Sequence, residues 1–177
     1  MKIKHILLDM DGVLTDFVGH FCKTFSYMPS VETWPKGEFN LAKVLGIEED
    51  HMWELISEKA PGYWKTMPPQ WFAEELMDII RSSGIPFTIS TSPSRDPYSA
   101  AGKIMWLQEY MGLDFRHFMI GSNKALMARR NVLLIDDYDK NLDAFKAAGG
   151  KIAPVPMIWN SYKGDPLCYV KEALCHS

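Results

Sequence analysis

Five short apolar runs punctuate the chain: residues 3–9, 86–91, 117–121, 131–137 and 151–155. Runs of this length, bounded by glycine, proline or acidic residues, read as buried strands. Between them apolar residues recur at helical spacing. Phe72, Leu76, Ile79 and Ile80 predict a helix over 71–83, entered through Pro68-Pro69 and left at Gly84. Ile104, Leu107 and Met111 place one face of a helix over 98–111, stopped by Gly112. Lys124–Arg130 reads as a helical turn. A helix over 139–148 ends at Gly149-Gly150, and residues 165–175 predict a closing helix. Strands alternating with helices imply a parallel, doubly wound sheet.

One interval breaks this rhythm. A plain strand–helix–strand unit takes about 30 residues, yet strands one and two stand much further apart. Residues 17–70 are therefore an insertion. It holds Phe17, Phe21, Phe25, Tyr27, Trp34, Phe39, Trp53, Tyr63 and Trp64, with short helical patterns (Phe17/Phe21/Phe25, Met52/Leu55/Ile56) broken by Pro29, Pro35, Gly37, Gly46 and Pro61-Gly62. Any single aromatic there is more often packing than ligand contact. The expected architecture is α/β: a Rossmann-like doubly wound parallel sheet, with a small helical cap inserted after strand one. The core domain is residues 1–16 and 71–177, and the cap is 17–70.

Composition narrows the class. With 47% apolar and 23% charged residues, the chain reads as an ordinary globular protein, not a disordered or fibrous one. No apolar run reaches the roughly 18–20 residues of a membrane span, and the start passes straight into a strand without signal-peptide layout. Cys22, Cys168 and Cys175 form neither a zinc pattern nor a disulfide framework, so a reducing, cytoplasmic home is expected. The net charge of −3 gives no basic stripe for nucleic acid. A phosphate substrate is still open, since one site needs only local positive charge.

The chemistry lies where strands end. In an open α/β sheet ligands bind beyond the carboxyl ends of the strands. Strand one ends in Asp9-Met10-Asp11-Gly12, strand two in Ser90-Thr91-Ser92, the third is followed by Ser122-Asn123-Lys124, and the fourth ends in Asp136-Asp137. Buried strands do not end in carboxylates unless something cationic compensates them. Carboxylates on neighbouring strands make an oxygen-rich site for Mg²⁺ and a substrate phosphate. A carboxylate can attack phosphorus to give an acyl phosphate, and a second can protonate the leaving alcohol and then activate water. Thr91 and Ser92 can hold phosphate oxygens, and Lys124 can stabilise the transferring group. Each motif alone has a plainer reading. Asp-x-Asp-Gly resembles a calcium-loop fragment, Asp136-Asp137 a helix cap, Ser-Thr-Ser-Pro a turn, and Lys124 a solvated charge. Jointly, in this order and at successive strand ends, they point to one site.

In that combination the sequence resembles the haloacid dehalogenase (HAD) superfamily of phosphatases over nearly its whole length. Leu8-Asp9-Met10-Asp11-Gly12-Val13-Leu14 matches the first motif, Thr91 the second, Lys124 the third and Asp136-Asp137 the fourth. The resemblance implies Asp9 as nucleophile and Asp11 as general acid/base. It implies Mg²⁺ held by Asp9, the Asp11 carbonyl and Asp137, with Asp136 orienting the site from behind, and Thr91 and Lys124 on phosphate. Where many members carry a further acidic residue, this chain has Asp139 or Asn141. Asp11 argues against dehalogenation, which needs no such acid. The insertion stands where the superfamily places a helical cap, which is expected to close over a small substrate and exclude water.

A closer likeness is to the 5'(3')-deoxyribonucleotidases, through Asp9–Phe17, Thr91-Ser92-Pro93, the Lys103…Trp106 segment and Leu133–Asp137. It implies that Phe17, with cap aromatics such as Tyr63 and Trp64, sandwiches the base, and that Lys103 is a second lysine on the phosphate side. The reading is a Mg²⁺-dependent phosphomonoesterase of (deoxy)nucleoside monophosphates, acting through an aspartyl-phosphate. Its expected partner is a small phosphomonoester, with no nucleic acid, no membrane and, among macromolecules, only a second copy in a homodimer entertained. The alternatives are a phosphatase or phosphotransferase for another small phosphorylated metabolite, and a non-catalytic nucleotide- or phosphate-binding module. The last would require loss of the nucleophile or acid, and both are present.

Overall fold

The computed structural model describes residues 2–30 and 32–175. Five parallel strands form one sheet in the order β3-β2-β1-β4-β5: β1 His5–Leu8, β2 Phe87–Thr91, β3 Phe118–Ile120, β4 Val132–Asp136 and β5 Lys151–Pro154. Helices α5 (Ala73–Ser82), α6 (Pro97–Met111) and α7 (Asp139–Ala147) connect them, with a 3-10 turn at Lys124–Met127, and α8 (Cys168–Cys175) closes the described chain. This is the doubly wound α/β sheet expected from the strand–helix alternation.

β1 lies at the centre because both of its faces are apolar. Ile6 and Leu8 face the larger cluster, with Leu14, Phe72, Leu76, Ile80 and Ile89. Leu7 faces the other side, with Leu134, Leu142 and Phe145. Alternation of side chains along a strand puts neighbours on opposite faces, so a continuous apolar run suits a strand covered on both sides. The chain winds outward from β1 through β2 to β3, then returns to β4 on the other side of β1. That reversal between β1 and β4 makes the crevice in which such sheets bind ligands.

Two predicted features differ in detail. α6 buries Ser99, Gly102, Lys103, Trp106 and Leu107, while Ile104 and Met111 are only half-buried. Its buried face is set by close packing on another helix and by a buried lysine, neither of which an apolar periodicity reveals. The closing helix starts at Cys168, because Asp165 caps the preceding turn by accepting from the Leu167 N–H at 2.9 Å.

Residues 17–70 contain α1 (Phe17–Phe25), α2 (Leu41–Leu45), α3 (Glu49–Glu58) and α4 (Gly62–Lys65). α1 is capped by Asp16, which accepts from the Gly19 N–H at 2.9 Å. α2 is capped by Asn40, which accepts from Lys43. The chain leaves and re-enters the sheet layer side by side: the Asp16 N–H donates to the Pro68 carbonyl at 2.9 Å, and the Gln70 N–H to the Leu14 carbonyl at 2.8 Å. Inside, Phe17 stacks on Trp64, Phe21 on Tyr27 and Phe25 on Tyr63. Among the described residues no helix is long and apolar enough to cross a membrane.

Candidate active site

β1 and β4 run side by side, with Leu8 opposite Ile135. The Asp9 N–H continues the ladder by donating to the Ile135 carbonyl at 2.9 Å, so Asp9 leaves the sheet at a fixed height. A tight turn follows. The Met10 carbonyl accepts from the N–H groups of Leu14 and Thr15, and the Gly12 N–H donates to the Thr15 carbonyl. Gly12 has φ +82°, and a Cβ there would lie 2.1 Å from Asp137 Oδ2. Glycine is needed both for that backbone conformation and for room beside the carboxylate.

Asp9, Asp136 and Asp137 are buried, and one oxygen from each falls within 4.8 Å of the others. Lys124 bridges two of them, its Nζ lying 2.6 Å from Asp9 Oδ1 and 2.6 Å from Asp136 Oδ2. Asp136 is occupied on both oxygens: Oδ1 accepts from the Tyr138 N–H at 2.9 Å, and Oδ2 from Lys124 and from Asn141 Nδ2. Asn141 thus hydrogen-bonds Asp136. Asp137 accepts from Trp159 Nε1 at 2.7 Å on Oδ2, while Asn160 Nδ2 donates to its carbonyl at 2.8 Å.

The electrostatics of this cluster call for a cation. Burial pushes the Asp9 carboxyl up to about 7, with the Asp136 and Asp11 charges adding to it and Lys124 opposing. Burial likewise raises Asp137 well above the usual carboxylate range, helped by Asp9 and Asp136. For Lys124 burial works downward, but the charges of Asp9 and Asp136 outweigh it and hold the ammonium above its ordinary value. One lysine thus bridges two of three buried carboxylates, and Asp9 and Asp137 resist ionisation. An all-oxygen donor set at a crevice suits a hard divalent ion with room for water and phosphate, so the residues fit Mg²⁺.

Asp11 stands apart from this cluster. Its carboxylate pairs with Lys103 and accepts from Thr15 Oγ1 at 3.3 Å. Lys103 is buried, and also donates to Thr91 Oγ1 at 3.0 Å and to the Ser92 carbonyl at 2.5 Å. Thr91 is buried at the end of β2, facing the same edge.

Next to the carboxylates lies a cleft of about 570 Å³, bordered among others by Asp11, Asp137, Phe17, Phe39, Trp53, Tyr138 and Trp159. Phe17 borders this cleft. Tyr63 and Trp64 are 3% and 2% exposed and are not among the lining side chains. They pack behind Phe17 and over Lys103. Their place in the lining is taken by residues that periodicity could not single out. Trp53 comes from α3. Phe39 stacks on Tyr138 with ring centres 3.8 Å apart. Trp159 reaches back from beyond β5. No local signal marks these three, because only tertiary packing joins their segments.

Comparison with known proteins agrees with this geometry. Residues 2–157 match the family model described as "5' nucleotidase, deoxy (Pyrimidine), cytosolic type C protein". A Bordetella pertussis protein named "Putative 5'(3')-deoxyribonucleotidase" is 31% identical over 139 residues, covering 75% of this chain and 73% of that protein. Among solved structures, a haloacid dehalogenase-like hydrolase from Bacteroides fragilis superposes with a TM-score of 0.58 at 18% identity, covering 92% of this chain and 91% of that one. CbbY from Rhodobacter sphaeroides in complex with phosphate does so with 0.52 at 15% identity, covering 92% and 90%. At these identities the two structures bear on the fold alone.

Proposed function

The chain belongs to the 5' nucleotidase, deoxy (pyrimidine), cytosolic type C family, a phosphatase family of the HAD type, and from that premise we propose a Mg²⁺-dependent hydrolysis of (deoxy)nucleoside monophosphates through an aspartyl-phosphate. The observation that carries this reading is the buried trio of Asp9, Asp136 and Asp137, two of them bridged by Lys124, beside an aromatic-lined cleft that Asp137 borders.

Residues 1–16 and 71–177 would act as the core, and 17–70 as a cap whose entry and exit strands lie together. Mg²⁺ would be held by the Asp9 and Asp137 carboxylates and the Asp11 carbonyl, and when bound it neutralises phosphate charge so that an anionic nucleophile can approach. Asp136 keeps Lys124 in place. Lys124 spends one N–H on Asp9 and one on Asp136, leaving its third for a phosphate oxygen. The Thr91 hydroxyl and the Ser92 segment at the end of β2 would hold the remaining oxygens.

Asp9 forms a bond from its carboxylate oxygen to phosphorus as the ester P–O bond breaks, and Asp11 gives its proton to the departing nucleoside oxygen. Water then attacks phosphorus, its proton returns to Asp11, and the Asp9–phosphorus bond breaks to release phosphate. Phe17, Trp53, Tyr138 and Trp159 form the wall against which the nucleoside would lie. The test is phosphate release from a panel of ribo- and deoxyribonucleoside 5'- and 3'-monophosphates, with Mg²⁺ and with chelator. Mg²⁺-dependent release from at least one nucleotide is expected. Inertness toward the whole panel beside brisk turnover of a sugar phosphate would overturn the nucleotide assignment.

A further inference from the structure

Lys103 differs from Lys124 in what its ammonium group has left to offer. An ammonium carries three N–H donors. Those of Lys103 go to Asp11 Oδ2, to Thr91 Oγ1 at 3.0 Å and to the Ser92 carbonyl at 2.5 Å. With a side chain only 1% exposed, it also has the face of Trp64 4.9 Å away as a roof. A phosphate oxygen could gain one of these N–H groups only by stranding an acceptor. We infer that Lys103 is a positioning residue, which holds the Asp11 carboxyl and the Thr91 hydroxyl in place and does not itself bind phosphate.

The three acceptors come from three places: the turn after β1, the last residue of β2, and the loop beyond it. Lys103 therefore ties the acid to the phosphate-holding strand end. Because Thr91 Oγ1 accepts from Lys103, its own hydrogen is left for another oxygen. Asp11 is held from the other side by Thr15 Oγ1 at 3.3 Å. The lobe of residues 17–70 supports the arrangement. A Cβ on Gly102 would lie 2.5 Å from Trp64 Cβ and 2.6 Å from the Pro61 carbonyl, so α6 sits against α4 at a distance only glycine permits. That contact brings the Trp64 ring over Lys103, and makes Trp64 a support of Asp11 at one remove.

This inference rests on Asp11 being the proton donor to the leaving group, and the experiment separates the two. Lys103→Met is compared with wild type on an alkyl ester (the best nucleotide, or whichever alkyl phosphate the wild type turns over) and on p-nitrophenyl phosphate, whose leaving group departs without a proton. A misplaced acid should cost kcat roughly 10²-fold on the alkyl ester, the low end of general-acid contributions. The loss on p-nitrophenyl phosphate should be under about tenfold, with KM and the inhibition constant of inorganic phosphate within roughly threefold. Trp64→Leu should show the same selectivity in weaker form. If Lys103→Met does not fold, Lys103→Arg keeps the charge, moves the donors, and is expected to show the same selective loss. Weakened phosphate inhibition with kcat intact would make Lys103 a phosphate ligand, and equal loss on both esters would make it merely structural. Either result overturns the inference. If Asp11→Asn itself spares the alkyl ester, the assignment of Asp11 as acid fails, whatever Lys103 does.

Discussion

At the scale of single residues the site is governed by carboxylates that burial makes reluctant to ionise. The Asp9 carboxyl is pushed up to about 7 from its ordinary 3.8, first by burial and then by Asp136 and Asp11. A raised acid pKa in the fold favours the protonated form. Its contribution to stability is full below about pH 4 and is lost as pH rises through about 7. The metal-free protein should therefore lose stability over that window, with Asp137 acting in the same direction. Metal ligation requires the ionised carboxylates, so Mg²⁺ should restore most where the loss is greatest. We expect a larger Mg²⁺-induced rise in melting temperature near pH 8 than near pH 5.5, read by thermal denaturation with and without the ion. An equal rise at both pH values would mean that these carboxylates are not where the ion binds.

At the scale of elements, the strands were legible in the sequence because a strand buried on both faces writes a continuous apolar run. Ile6-Leu7-Leu8 and Leu133-Leu134-Ile135 are such runs, and both stop at carboxylates. α1 and α3 followed from Phe17/Phe21/Phe25 and Met52/Ile56 at helical spacing. α6 lies where the apolar spacing puts it, but its buried face also includes Gly102 and Lys103, which are buried for reasons of fit and charge. That close fit sets a prediction. Gly102→Ala puts a methyl group into Trp64 Cβ and backbone, and overpacking of this kind costs about 1–3 kcal/mol. Chemical denaturation of the variant should show that loss. Unchanged stability would show that α4 and α6 can part without cost.

Across the whole molecule, the reversal of the chain between β1 and β4 brings Asp9 beside Asp136 and Asp137, and residues of the 17–70 segment line the cleft at the same edge. The carboxylate end of this arrangement could be read from the sequence, because residues at strand ends are placed by topology alone. The cleft wall beyond Phe17 could not. Trp53, Phe39 and Tyr138, and Trp159 meet only through tertiary contacts, while Tyr63 and Trp64, which stand out in the sequence, are packed inside. In the proposed reaction Asp9 attacks phosphorus beside this cleft. Asp9→Asn keeps the shape, removes a charge that burial disfavours, and leaves Lys124 paired with Asp136, so the variant should fold with undiminished stability. The most direct measurement is its steady-state phosphate release in Mg²⁺, on the nucleotide the wild type hydrolyses fastest. A loss of at least about 10³-fold is expected, as for removal of a covalent nucleophile, and a folded Asp9→Asn protein that still turns over at a rate near wild type would contradict Asp9 as the nucleophile.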